Sequence, residues 1–219
     1  MNAVPLLLGH RGARSVPSIG ENTTSAFDFA LQHGCDGFEF DVRLTRDSVA
    51  VVCHDAKSQG LLICEATADQ LAYLPRLDDV LARYAKRAFL DIELKVHGLE
   101  GITLAALREH LPARGFVVSS FLPEVLIELR NRNDAIPLGL ICDRKKALRR
   151  WRELSVEHVI PHHSLVTPKL VSEIHDANRK LFVWTVNGKA AMLRFASWGV
   201  QGIVSDKPEL LVRALRTAR

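Results

Sequence analysis

VPLLLGH (4–10), TSAFDFALQHG (24–34) and GFEFDVRL (37–44) follow one another near the start of the chain, a β-rich run, an amphipathic helical pattern and a second β-rich run. Two strands joined through a helix lie parallel, because only a crossover of that length brings the chain back to the same edge. The alternation then continues. Further β-rich runs stand at 88–95 (AFLDIELK), 116–120 (FVVSS), 137–142 (PLGLIC), 158–163 (HVIPHH), 181–187 (LFVWTVN) and 202–206 (GIVSD). Helical patterns separate them and follow the last, several opening at a helix-starting proline or cap such as Pro123, Thr167-Pro168 or Asp206 ahead of Pro208. Eight strand–helix units predict an α/β protein of the (β/α)8 TIM barrel type. An open doubly wound sheet competes less well, since the units are evenly spaced and no GxGxxG follows the first strand.

One run departs from the alternation. VAVVCHD (49–55) follows 37–44 after only Thr45-Arg46-Asp47-Ser48. So short a link cannot cross over, so a β-hairpin is expected after strand 2. With Arg46-Asp47 as a two-residue loop, Thr45 pairs with Ser48 and His54 falls opposite Glu39; a one-residue bulge would shift that pairing.

The 219 residues contain no linker of Pro, Gly and Ser, which argues for a single domain over 1–219, near the lower length limit of such barrels, roughly 200 residues. No run approaches the roughly 18 apolar residues of a membrane span, and the N-terminus lacks a secretory pattern. Cys35, Cys53, Cys64 and Cys142 form no CxxC and read as thiols of a reducing compartment, so a cytoplasmic location is expected. A net charge of +4 permits an anionic partner without demanding one. The basic run RKKALRRWR (144–152) reads as a solvated helix face, not a nucleic-acid surface.

Polar residues at the C-terminal ends of barrel strands form active sites. The first three strands end in His10-Arg11, Glu39-Phe40-Asp41 and Glu93-Leu94-Lys95. Residues two apart on a strand share a face, so Glu39 lies beside Asp41, and Glu93 beside Lys95. Ordinary ion pairing explains one such motif; three on successive strand ends do not reduce to it. Three carboxylates with no thiolate suit a hard divalent ion, Mg²⁺ or Ca²⁺. His10 and His54 each close an apolar run at the same mouth, and His162-His163 ends the sixth strand. Arg11 offers a bidentate fork and Lys95 a point charge, while Gly9 and Gly12 permit close backbone approach to an anion. Such a set fits cleavage of a phosphodiester, with cations around the non-bridging oxygens and one imidazole on each side of phosphorus.

At this point the chain resembles the glycerophosphodiester phosphodiesterase family, in GHRG (9–12), ENT (21–23), FEFDVRLTRD (38–47), VVCHD (51–55), IELK (92–95), SSF (119–121), WTVN (184–187) and GIVSDKP (202–208). The resemblance implies a (β/α)8 barrel and metal-dependent hydrolysis of glycerophosphodiesters, small-molecule substrates, to glycerol 3-phosphate and an alcohol. It implies His10 and His54 as the acid–base pair, Glu39, Asp41 and Glu93 around the divalent cation, and Arg11 and Lys95 on the phosphate. Glu21 and Asn22 match a pair close to the site. Glu21 would orient His10 or Arg11, and Asn22 would either join the site or cap the next helix. Trp184 would pack against the glycerol side of the pocket or serve as a rim aromatic. Family members commonly carry an inserted lobe after the HD pair; here the segment to LDDVL is brief, so the lobe should be reduced. A more open pocket leaves lysophospholipase D-type substrates as an alternative, and a non-catalytic barrel binding phosphorylated ligands as another. The sequence is silent on whether the chain forms a homo-oligomer.

Overall fold

In a computed structural model that describes residues 5–216, the alternation becomes a closed barrel. Its parallel staves are β1 (Leu6–His10), β2 (Gly37–Leu44), β6 (Phe89–Leu94), β7 (Phe116–Ser120), β8 (Leu138–Cys142), β9 (His158–Pro161), β10 (Lys180–Val183) and β11 (Gly202–Ser205). Each pairs with its neighbours in the ring, and β1 closes it by pairing with both β2 and β11. Val4 of the expected first strand and the last three residues of the expected final helix lie outside the described residues.

Strand periodicity sorts the apolar side chains into two cores. Phe38, Phe40 and Val42 of β2, with Leu90, Ile92 and Leu94 of β6, point outward under the helices. There Phe27 of α1 (Thr24–Gln32) stacks on Phe38 at 4.1 Å between ring centroids. Leu8, Phe89, Val117, Ile141, Ile160, Phe182 and Val204 point inward and fill the barrel. The same inward rows carry Glu39 and Asp41 on β2 and Asp91 and Glu93 on β6 toward the C-terminal mouth, with Glu39 in register with Asp91 and Asp41 with Glu93.

The outer ring comprises α1, α2 (Leu77–Tyr84), α3 (Glu100–Glu109), α4 (Pro123–Arg132), α5 (Lys145–Arg149), α6 (Pro168–Asp176), α7 (Lys189–Ser197) and α8 (Pro208–Leu215). Thr23 and Thr167 cap α1 and α6 through their hydroxyls, and prolines open α4, α6 and α8. Two expectations need correction. The pattern over 144–154 yields only a five-residue helix, after which a 3₁₀ turn swings Trp151 into the core. Asp206 does not cap α8; Lys207 holds that position.

The hairpin forms between the end of β2 and β3 (Ala50–Val52), but its register is shifted by one from the two-residue-loop reading. Val42 faces Val52, and the amide of Cys53 donates to the carbonyl of Asp41. Ser48 adopts a left-handed conformation (φ 62°), making the loop three residues long, and the Thr45 hydroxyl accepts from the amide of Val49. His54 therefore does not sit opposite Glu39 in a ladder. The reduced lobe that follows is a two-stranded ribbon, β4 (Lys57–Ser58) with β5 (Leu61–Leu62), and a few turns packed on Val51.

Candidate active site

At the C-terminal mouth a recess of about 100 Å³ is lined by side chains from several strands, including His10, Arg11, Glu39, His54, Glu93, Lys95 and Trp184. Residues separated by up to 194 positions in sequence, His10 and Val204, thus meet in one place. Phe121, Ile141, Ile160 and Val204 complete its apolar floor and wall.

The turn after β1 is held by backbone packing. Gly12 (φ 81°) lies so close to α1 that a Cβ there would stand 2.5 Å from the carbonyl carbon of Ala26, and a Cβ on Gly9 would stand 2.0 Å from the oxygen of Gly12. The two glycines serve the approach of turn to helix, a packing requirement that stands beside the expected backbone approach to an anion. Arg11, itself left-handed at φ 49°, donates its amide to Glu39 Oε2 at 3.0 Å and its Nη1 to Glu21 Oε1 at 2.7 Å, with Nε 3.2 Å from Asp41 Oδ2. Glu21 also receives Arg14 Nε, so it orients Arg11, not His10. Asn22 does not cap α1: its side chain donates to Asp41 Oδ2 at 2.8 Å and accepts the Asp41 amide at 3.3 Å.

Glu39, Asp41 and Glu93 are all buried, and one oxygen of each lies within 4.8 Å of the others. Lys95 Nζ bridges Asp41 Oδ1 at 2.9 Å and Glu93 Oε1 at 2.5 Å. This single ammonium does not neutralise the group. Burial, then repulsion from Asp41, Glu93 and Asp91, drives the Glu39 carboxyl well above the usual carboxylate range. Burial likewise pushes Glu93 up to about 8 although Lys95 opposes it. At Asp41 burial is outweighed by Lys95 and Arg11, which keep it low. Glu39 Oε1 is buried and has no hydrogen-bond partner. An orphaned oxygen in an acidic cluster that is one positive charge or more short fits a divalent cation with oxygen ligands.

His10 Nδ1 lies 2.6 Å from Asp206 Oδ1, which turns Nε2 toward Glu39 Oε2 at 3.7 Å. Asp206 in turn accepts from Asn187 Nδ2 at 2.6 Å, and despite burial these bonds hold its carboxyl low. His54 stands at the outer edge of the recess, its Nδ1 2.7 Å from Asp55 Oδ1; burial lowers its pKa although Asp55 opposes the shift. Trp184 lines the recess, donates Nε1–H to the carbonyl of Ile160 at 2.9 Å, and packs edge-on to Phe121. His162 and His163 lie against each other at a tilt of 40°, with His162 edge-on to Trp184, and neither lines the recess.

Sequence reasoning passed over three contributors. Asp206 directly follows β11 in GIVSD, a strand end like those that carry His10, Glu39 and Glu93 into the recess. Asn187, in WTVN, holds it. Asp91 continues the alternation of Glu93 and Lys95 one step deeper; burial pushes its carboxyl up to about 7, and Ser119 Oγ donates to it.

Two imidazoles, three clustered carboxylates and two fixed cations at a barrel mouth form a set suited to the hydrolysis of anionic esters. Comparison with known proteins narrows the class. The model of the glycerophosphoryl diester phosphodiesterase family matches residues 10–78 and 91–210. A glycerophosphodiester phosphodiesterase from Caldanaerobacter subterraneus is 29% identical over 96% of this chain and 98% of its own length. A putative glycerophosphoryl diester phosphodiesterase from Silicibacter pomeroyi superposes with a TM-score of 0.87 at 25% identity, covering 97% of this chain and 93% of that one. An Oleispira antarctica phosphodiesterase, solved in complex with its product sn-glycerol-3-phosphate, shares the fold at a TM-score of 0.84, 24% identity and 96% coverage of each chain. The chain belongs to the glycerophosphoryl diester phosphodiesterase family, and with it to the phosphodiester hydrolases. Among the described residues no helix is long and apolar enough to cross a membrane.

Proposed function

We propose that this protein hydrolyses glycerophosphodiesters to glycerol 3-phosphate and an alcohol, with residues 1–219 acting as one catalytic domain and a divalent cation, Mg²⁺ or Ca²⁺, held by Glu39, Asp41 and Glu93. The observation that carries the reading is the convergence of His10, His54, the three carboxylates, Arg11 and Lys95 on one recess. The bound cation supplies concentrated positive charge for the non-bridging phosphate oxygens.

The chain's own groups do the rest. Lys95 has three N–H donors and spends two on Asp41 and Glu93, leaving the third for phosphate. Arg11 has five; Glu21 fixes one end of the guanidinium so that the other faces the recess. Asp206 accepts from Nδ1–H of His10 and so keeps Nε2, the nitrogen free to take or give a proton, toward the substrate. Asp55 does the same for His54 on the opposite, more open side. One imidazole takes a proton from the attacking oxygen while the other protonates the departing alkoxide. The edge of Trp184 and the ring of Phe121 give the carbon skeleton an apolar wall. Four free cysteines, two of them buried, support a reducing, cytoplasmic setting.

The test is release of glycerol 3-phosphate from glycerophosphocholine and related diesters with Mg²⁺, Ca²⁺ or EDTA. Release that EDTA abolishes is expected; metal-independent turnover, or full activity in His10→Ala or His54→Ala, refutes the mechanism.

A further inference from the structure

A second cavity, larger than the recess at the mouth, lies at the other end of the barrel. It has a volume of about 470 Å³ and is lined by the starts of β1, β6, β9 and β10, by the segment 198–201 that leads into β11, and by His175 of α6, whose Nε2 lies against the Gln201 amide. That volume is within the usual range for small-molecule pockets, about 300–1,000 Å³. Its floor is aromatic: Phe89 and Phe182, 5.8 Å apart, close the bottom of the barrel's inner core, and Trp198 forms a half-buried side wall.

His158 is the anomaly. It is 1% exposed, its ring meets the edge of Phe182 at 5.0 Å, and neither ring nitrogen has a partner in hydrogen-bond geometry. Buried polar groups are almost always paired, and an apolar residue would serve a purely structural role at this position better. Lys180 is its register partner on the adjacent parallel strand, so the two side chains project side by side. Among the described residues Lys180 forms no ion pair, and no Asp or Glu lines the cavity. Burial and then the nearby Lys180 charge push His158 down to about 4, opposed by a contact with the Leu138 backbone that falls short of hydrogen-bond geometry, so the neutral ring keeps an N–H without a well-aligned acceptor.

We propose that this lower cavity binds a small monocarboxylate with a ring-sized apolar body, the carboxylate shared between Lys180 Nζ and the His158 ring and the body lying against Phe89, Phe182 and Trp198. An anion there pairs with the lysine and gives the orphaned imidazole an acceptor. The rings favour a flat aryl group over an inorganic ion. The site is separate from the phosphodiesterase mouth and does not rest on its function.

Indole-3-acetate, 3-phenylpropionate and the amide of the latter are the probes, titrated into the protein while backbone and indole N–H resonances are followed. The acids should bind saturably, moving the Trp198 indole and leaving those of Trp151 and Trp184 in place, with glycerol 3-phosphate present or absent. The amide should bind at least about tenfold more weakly, as should the acids to Lys180→Gln, an exposed substitution that leaves the core intact. His158→Phe should abolish the carboxylate preference. Absence of saturable binding at millimolar concentration, equal binding of acid and amide, an unchanged Kd in Lys180→Gln, or shifts at Trp184 in place of Trp198 would overturn the proposal.

Discussion

Replacing Asp206 with alanine removes the group that holds His10. The bond is 2.6 Å long, both side chains are about one-tenth exposed, and the acceptor is a carboxylate kept ionised by Asn187 and His10 against its burial. A hydrogen bond to a charged group contributes about 1.5–3 kcal/mol. If that energy is spent on keeping Nε2 aimed into the recess, the loss appears in the barrier, and one decade of rate corresponds to about 1.4 kcal/mol. We therefore expect kcat for glycerophosphocholine to fall roughly 10- to 150-fold. KM should change less than about twofold, because Asp206 touches none of the groups assigned to phosphate, and uniform binding is what KM alone reports. Asp206 also anchors the loop after β1, but through its backbone carbonyl, which accepts from the amide and hydroxyl of Ser15 and survives the substitution. Asn187→Ala should reproduce a smaller part of the effect, since it removes the support for Asp206 and leaves the His10 bond. Steady-state kinetics at matched cation concentration, with circular dichroism as the folding control, measures all of this. A kcat within twofold of the parent, or a loss confined to KM, refutes the assignment of Asp206 as the residue that positions His10.

Three further outcomes follow from the same geometry. Asn22 binds Asp41 twice and adopts φ 58°, so Asn22→Ala should cost about 3 kcal/mol, or roughly 6–12 °C in Tm, while Asn22→Gly, free of the left-handed strain, should cost less; calorimetry showing glycine the more damaging would contradict this. Gly9→Ala should destabilise by about 3 kcal/mol or more, because its Cβ meets Gly12 O at 2.0 Å, and denaturant melting would reveal it. The raised carboxyls of Glu39, Glu93 (about 8) and Asp91 (about 7) bind protons in the folded chain that the unfolded chain has released above about pH 4. Stability of metal-free protein should accordingly fall as pH rises from about 4 to about 8. Asp41, whose burial is outweighed by Lys95 and Arg11, works in the opposite sense and loses its contribution only as pH drops below about 4. A cation replaces those protons, so the gain in Tm from added Ca²⁺ or Mg²⁺ should grow between about pH 6 and pH 8; a gain independent of pH would show that the cluster is ionised without it.

The barrel was legible because its signal is local and repeated. FEFDVRL and FLDIELK carry the period-two alternation that sends Phe38, Phe40 and Leu90 outward and Glu39, Asp41 and Glu93 inward. Tight turns were less legible. TRDS contains no glycine to announce a residue with positive φ, yet Ser48 takes that conformation and the register moves by one. Long-range partners were not legible at all. Asp206 precedes a proline and a helix, a pattern that reads as a cap; its actual partner, His10, is 196 residues away, and only barrel closure through β1 and β11 brings them together. Asp91 differs again: its inward direction follows from the alternation with Glu93, but its depth below the mouth depends on Ser119 and the neighbouring strands. The orphaned nitrogens of His158 belong to the same class, since no spacing in the sequence records what a buried ring fails to touch.

The carboxylate trio is the account's centre, and direct cation mapping tests it. Crystals soaked in Mn²⁺ and glycerol 3-phosphate should show one anomalous peak among Glu39, Asp41 and Glu93, lost in Glu39→Gln, with the phosphate facing Lys95. A peak elsewhere, or a trio that stays free of metal while the enzyme turns over, would contradict it.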